Sequence, residues 1–141
     1  MQTAQIFAID DDPDDLELLS HLAQKAGIKH QLMFFNNAVS AIAQLKLLSN
    51  EDLPSLVMAD LNMPLLNGLD LLRQLKIHDL LEEVDVVILS TSPLDDHRVA
   101  STLWGAKGFI RKPSTAEGYE KLMDGLKAYL RSKKVEDLLA L

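Results

Sequence analysis

Short unbroken apolar runs alternate along this chain with longer stretches in which apolar residues return every third or fourth position. The runs suit strands buried on both faces of a parallel sheet, and the longer stretches suit amphipathic helices. The first strand is expected at Gln5 to Ile9, before a helix carrying Leu16, Leu18, Leu19, Leu22, Ala23 and Ala26 up to Gly27. Gln31 to Phe35 is the second strand, and Ala38, Ile42, Leu45 and Leu48 mark a helix that ends near Ser49 and Asn50. Leu56, Val57, Met58 and Ala59 form the third strand, which ends on Asp60. Asn62, Pro64, Asn67 and Gly68 then break the pattern, and a helix resumes from about Gly68 to Leu80. The fourth strand, Val84 to Leu89, opens onto Ser90, Thr91, Ser92 and Pro93. Asp95 and Asp96 start a helix that carries Val99, Leu103 and Trp104 and closes at Gly105. The fifth strand, Gly108 to Ile110, leads to Arg111, Lys112 and Pro113. The last helix opens with Ser114 and Glu117 in capping-box spacing and repeats apolar residues from Tyr119 to Leu130.

Five strands alternating with five helices over short loops imply parallel strands joined by right-handed crossovers, an α/β doubly wound sheet. At 141 residues, 48% of them hydrophobic, the chain has material for one core and no room for a second. Residues 1–131 carry this pattern. The tail, 132–141, lies outside it; its apolar residues could extend the last helix, contact a partner or form a homodimer. Cysteine is absent, so neither disulfides nor thiolate chemistry enters. The N-terminus lacks a basic flank with a long apolar core, and no apolar run reaches membrane-spanning length, so a cytoplasmic chain without a membrane partner is expected. A net charge of −7 argues against nucleic acid.

Asp12 is placed to cap the first helix, Pro13 suits its first position, and Asp14 and Asp15 favour the positive end of its dipole. Asp10 and Asp11 precede the cap and have no such role. Side by side at about 4 Å they would repel by roughly 4 kcal/mol at an effective dielectric near 20, and so need a cation or a raised pKa. Asp10 and Asp11, Asp60, Ser90 and Lys112 each follow the carboxyl end of a strand, the rim where open α/β sheets bind ligands. Carboxylates from two strands are hard oxygen ligands suited to Mg²⁺, and a hydroxyl and an ammonium opposite them can hold phosphoryl oxygens. With no cysteine and no serine–base pair, a carboxylate is the expected nucleophile.

The Asp10-Asp11 pair, Asp60 within Asp-Leu-Asn-Met-Pro-Leu-Leu-Asn-Gly, Ser90 after an apolar strand and Lys112-Pro113 together resemble a response-regulator receiver domain of two-component signalling. The resemblance covers residues 5 to 131 and implies a flavodoxin-like sheet in the order 2-1-3-4-5. It implies that Asp60 accepts a phosphoryl group from a sensor histidine kinase or a histidine phosphotransfer protein. Asp10, Asp11, Asp60 and the Asn62 carbonyl would hold Mg²⁺, Asp10 through water. Ser90 and Lys112 would bind the phosphoryl group, Phe109 would be the aromatic switch, and Asn62, Thr91 and Ser92 would modulate hydrolysis. Phe109 and Ser90 replace a commoner tyrosine and threonine, which should alter switching kinetics. A downstream protein would bind the face of the fourth helix, fifth strand and fifth helix, and the Lys112–Pro113 peptide would be cis, as is usual in the family. With no effector domain after the last helix, output by protein contact or phosphorelay is expected.

Three rivals share some of these residues. A phosphatase of the haloacid dehalogenase type would use Asp10 and Asp12 as nucleophile and general acid, but would leave the Asp60 motif unexplained. A flavodoxin-like FMN binder would need Gly, Ser and Thr where the first loop has carboxylates. A degenerate receiver acting only by contact would not need the complete site. Among lesser features, Asp95, Asp96 and His97 read as a helix start, His21, His30 and His78 as solvated, and Met33 and Met58 as core. Trp104 suits core packing or a partner contact equally.

Overall fold

The computed structural model of the chain describes residues 4–91 and 95–139, with backbone alone at 95 and 96. Five parallel strands, β1 (Ile6–Ile9), β2 (Leu32–Phe35), β3 (Leu56–Asp60), β4 (Asp85–Ser90) and β5 (Gly108–Arg111), form one sheet in the order β2-β1-β3-β4-β5. Between them run α1 (Pro13–Lys25), α2 (Ala38–Leu47), α3 (Gly68–Ile77) and α4 (Asp95–Leu103), and α5 (Ala116–Ser132) follows β5. No helix among the described residues is long and apolar enough to cross a membrane.

The apolar runs are continuous because both faces of the sheet are covered. Phe7, Ile9, Val57, Ala59, Val86 and Ile88 pack against α2 and α3, whereas Ile6, Ala8, Leu56, Met58, Val87 and Leu89 pack against α1 and α5. Alternate side chains of each strand thus enter two separate cores, as a pleat of period two requires. The pleat fails to bury Met33, which is 40% exposed. It lies on the edge strand β2, which among the described residues pairs with β1 alone, so Met58 is a core residue and Met33 is not. Trp104 is half-buried against the α2–α3 core, with the guanidinium of Arg73 4.9 Å and the ammonium of Lys76 5.7 Å from its ring. His21, His30 and His78 are exposed.

The helix starts follow side-chain chemistry. Asp12 caps α1 by accepting from the Asp14 amide at 2.9 Å, with Pro13 as the first helical residue. Asn67 and Asp70 close a capping box on α3. In α5 the cap is Thr115, which accepts from Gly118 N at 3.0 Å; the helix starts one residue later than Ser114 and Glu117 suggested. The tail does not continue α5. Lys133 adopts a left-handed conformation (φ 60°), the chain turns back, and a sixth helix, α6 (Val135–Leu139), buries Val135 and Leu138 in the α1–α5 core. No cis peptide bond occurs among the described residues, so Lys112–Pro113 is trans.

Candidate functional site

Parallel strands in register bring their carboxyl ends to one rim, and Ser90 pairs with Arg111 across β4 and β5 while Asp60 pairs with Leu89 across β3 and β4. Asp60 is the last residue of β3, Asp10 directly follows β1, and Lys112 directly follows β5, its amide donating to the Ser90 carbonyl at 2.8 Å. Gly68 sets the exit from β3. A Cβ there would lie 3.1 Å from Leu61 Cα and 3.3 Å from the Asp60 carbonyl oxygen, so a larger residue would push the first turn of α3 a few tenths of an ångström away from the acceptor strand.

Lys112 gathers the carboxylates. Its Nζ lies 2.6 Å from Asp10 Oδ2, 2.7 Å from Asp15 Oδ2 and 3.1 Å from Asp60 Oδ2. The remaining oxygens are also held: Asp12 N donates to Asp10 Oδ1 at 3.0 Å and Asn62 N donates to Asp60 Oδ1 at 3.2 Å. Asp10 and Asp60 are buried at 3% and 7% exposure, and Asp11 is exposed. Burial raises the Asp10 pKa above the ordinary carboxylate value, because the Lys112 and Asp12 hydrogen bonds offset desolvation only in part. Burial alone would lower the Lys112 pKa; the hydrogen bonds and charges of its carboxylate partners outweigh that and keep it a fixed ammonium.

Oxygens of Asp10, Asp11 and Asp60 lie within 4.8 Å of one another. This compact, all-oxygen donor set with one solvent-facing member fits a hard divalent cation that keeps part of its water. Ser90 is fully buried, Thr91 is exposed, and Asn62 is exposed beside Asp60. Phe109 is half-buried on β5, with the Arg98 guanidinium 5.7 Å from its ring. Ser92 and Pro93 lie outside the described residues, as do the side chains of Asp95 and Asp96. Asp12, the rival general acid, is exposed and engaged as a helix cap.

The sequence reading missed Asp15 as a partner of Lys112. Its position in the first turn of α1 carried the signal, because helical side chains lean toward the N-terminus of their helix, and here that end opens on the rim.

Residues 6–127 match the family model of the response regulator receiver domain. The chain belongs to that family. Receiver domains serve phosphorelay signalling in two-component systems. This receiver is 25% identical over 127 residues to response regulator Rcp1 of Synechocystis sp., covering 88% of this chain and 86% of Rcp1. It is 28% identical over 125 residues to protein PilH of Pseudomonas aeruginosa, covering 89% of this chain and 98% of PilH. Both relatives therefore consist of little beyond a receiver domain. The fold matches that of the phosphorylated cyanobacterial phytochrome response regulator RcpA with a TM-score of 0.79 and 24% identity, over 94% of this chain and 96% of RcpA. It also matches the Mn²⁺-bound form of Rcp1 with a TM-score of 0.74 and 25% identity, over 89% of this chain and 92% of Rcp1.

Proposed function

We propose that Asp60 accepts a phosphoryl group from the phosphohistidine of a sensor kinase or phosphotransfer protein, and that the new charge switches a protein contact. The observation that carries this reading is the clamp of the Lys112 ammonium on the buried carboxylates of Asp10 and Asp60, 2.6 and 3.1 Å away. In the transfer, a P–O bond to an Asp60 oxygen forms as the donor's P–N bond breaks, and the electron pair leaves with the imidazole. Lys112 orients the Asp60 carboxylate and remains charged throughout to pair with phosphoryl oxygens, and the Ser90 hydroxyl donates to another. Asp10, Asp11, Asp60 and the Asn62 carbonyl would hold Mg²⁺, which when bound neutralises charge on the phosphoryl oxygens. The Mn²⁺-bound form of Rcp1 and the three clustered carboxylates support a divalent cation here.

Phosphorylation adds about 1.5 to 2 negative charges at the rim. Ser90 and the loop 91–93 move toward them, Phe109 turns inward behind, and the face of α4, β5 and α5 changes shape for a downstream protein. Asn62, Thr91 and Ser92 modulate hydrolysis of the acyl phosphate. The receiver unit is residues 1–131, with 132–141 as its appendage, and it acts in the cytoplasm as a phospho-acceptor that catalyses only its own phosphorylation and dephosphorylation.

The test is intact-protein mass after incubation with acetyl phosphate, with and without Mg²⁺, on the wild type and Asp60→Asn. A Mg²⁺-dependent gain of one phosphoryl group in the wild type alone is expected. No gain in the wild type leaves an interaction-only receiver, and labelling that persists in Asp60→Asn points to Asp10 instead.

A further inference from the structure

The Lys112 ammonium has three protons to donate and three carboxylates within reach, and these carboxylates are not equivalent. Asp60 is the phosphoryl acceptor in the reading above, and Asp10 belongs with Asp11 and Asp60 to the oxygen cluster that fits a divalent cation. Asp15 has neither task. Its Oδ2 nevertheless lies 2.7 Å from Lys112 Nζ, nearer than Asp60 Oδ2 at 3.1 Å, and the lysine side chain it holds is only 8% exposed. A second group holds Asp15 in turn. The hydroxyl of Tyr119, a residue of α5 that is 4% exposed, hydrogen-bonds the Asp15 carboxylate, and after burial the charge of Asp15 is the strongest influence keeping the proton on that phenol. A continuous polar line therefore runs from α5 through the first turn of α1 to the residue after β5, and it ends on the acceptor carboxylate.

We propose that Asp15, oriented by Tyr119, is a positioning residue for phosphoryl transfer, anchoring the Lys112 ammonium where the phosphoryl oxygens arrive. Before transfer, one ammonium proton rests on each of Asp10, Asp15 and Asp60. As the P–O bond to Asp60 forms, the donor's bond to phosphorus breaks and its electron pair leaves with the donor. The Asp60 carboxylate loses its charge and becomes a weaker acceptor, so its proton turns to a phosphoryl oxygen while Asp10 and Asp15 keep the other two. The ammonium does not travel, and its charge is aimed before the reaction begins, the condition under which fixed charges lower a barrier. A cation drawing on Asp10 makes the anchor more important, because Asp15 is then the one carboxylate on Lys112 with no other partner of higher charge. This inference rests on the reading of Asp60 as the phosphoryl acceptor.

The test measures, by intact mass, the rate of phosphorylation by acetyl phosphate in excess Mg²⁺ for the wild type, Asp15→Asn, Tyr119→Phe and the double variant. Asp14→Asn, the same charge change at an exposed position of the same turn, is the control. Asp15→Asn should slow the reaction about tenfold or more and Tyr119→Phe about threefold, as expected for weakening a charge-assisted and an ordinary hydrogen bond. The double variant should be no slower than Asp15→Asn, because Tyr119 acts through Asp15. Asp14→Asn should stay within about twofold of the wild type. A second readout needs no donor. In nitrogen-15 NMR the Lys112 ammonium signal, assigned by its loss in Lys112→Met, should shift in Asp15→Asn and less in Tyr119→Phe, and stay in place in Asp14→Asn. A rate in Asp15→Asn equal to or above that of the wild type, an equal slowing in Asp14→Asn, or an unmoved ammonium signal in Asp15→Asn would overturn the anchor. Slowing in the double variant by the product of the single effects would overturn the part of Tyr119. Failure of the wild type to label removes the acceptor reading and this role with it, whereas labelling of Asp15→Asn at the wild-type rate removes this inference alone.

Discussion

Lys112→Met keeps most of the aliphatic stem and deletes the charge that three carboxylates share. Oxygens of Asp10 and Asp60 lie within 4.8 Å, where two unit charges repel by about 3 kcal/mol at an effective dielectric near 20. Breaking a buried ion pair from one side commonly costs about 3–5 kcal/mol, so a loss of about 3 kcal/mol near neutral pH is expected without divalent cations. Asp10 already has a raised pKa, through burial first. The native state therefore holds a proton on Asp10 that the unfolded chain releases as pH rises past 3.8, and stability falls as pH climbs from there to the raised value. Without Lys112, which pulls that pKa down, the window widens upward. The variant should recover most of its deficit near pH 5 and again when Mg²⁺ is added, while the wild type changes less. Urea unfolding followed by Trp104 fluorescence at both pH values, with and without Mg²⁺, measures this. An equal deficit at both pH values that ignores Mg²⁺ would refute the electrostatic account and assign the loss to packing of the stem.

Three further outcomes follow from local geometry. Leu138→Ala removes a fully buried side chain from α6 and should lower unfolding free energy by about 2–4 kcal/mol in urea titrations; a change within measurement error would mean that α6 is not docked in solution. Leu65 is 88% exposed with φ 69°, so Leu65→Gly should stabilise the protein by about 0.5–1 kcal/mol, and a destabilised variant would argue against the left-handed conformation. Both tyrosines have raised pKa values through burial, Tyr119 to about 12, so absorbance titration of the folded chain should show no phenolate midpoint near 10. Stability should fall as pH rises from 10 toward 12, because the native phenols keep protons that the unfolded ones release.

Strand ends are what periodicity locates well, and the candidate site consists mostly of strand ends. Once Asp10, Asp60, Ser90 and Lys112 each terminate an apolar run, parallel pairing alone brings them to one rim, whatever the side-chain details. Asp12 and Pro13 were legible for a similar reason, since a helix cap is decided by the backbone amides next to it. The same local reasoning failed at Ser114, because Ser114 and Thr115 are adjacent and equally able to cap α5, and only the path out of β5 chooses between them.

By itself, then, the sequence determined the alternation of elements, the doubly wound class and the carboxylates at the strand ends, because each depends on interactions a few residues apart. Only the tertiary structure decided the rest. The resemblance already implied that β2 is an edge, but that Met33 is the β2 side chain left exposed there was decided by how the rest of the chain covers the strand. Asp15 joins the site because the first turn of α1 brings its carboxylate to 2.7 Å from the Lys112 ammonium, and so Lys112 answers to three carboxylates, two beside the α1 start and one at the end of β3. The tail becomes α6 because Lys133 turns it back and Gly108, 31 positions before Leu139, leaves space for a leucine. Contacts between residues so far apart are settled by the packing of the whole chain.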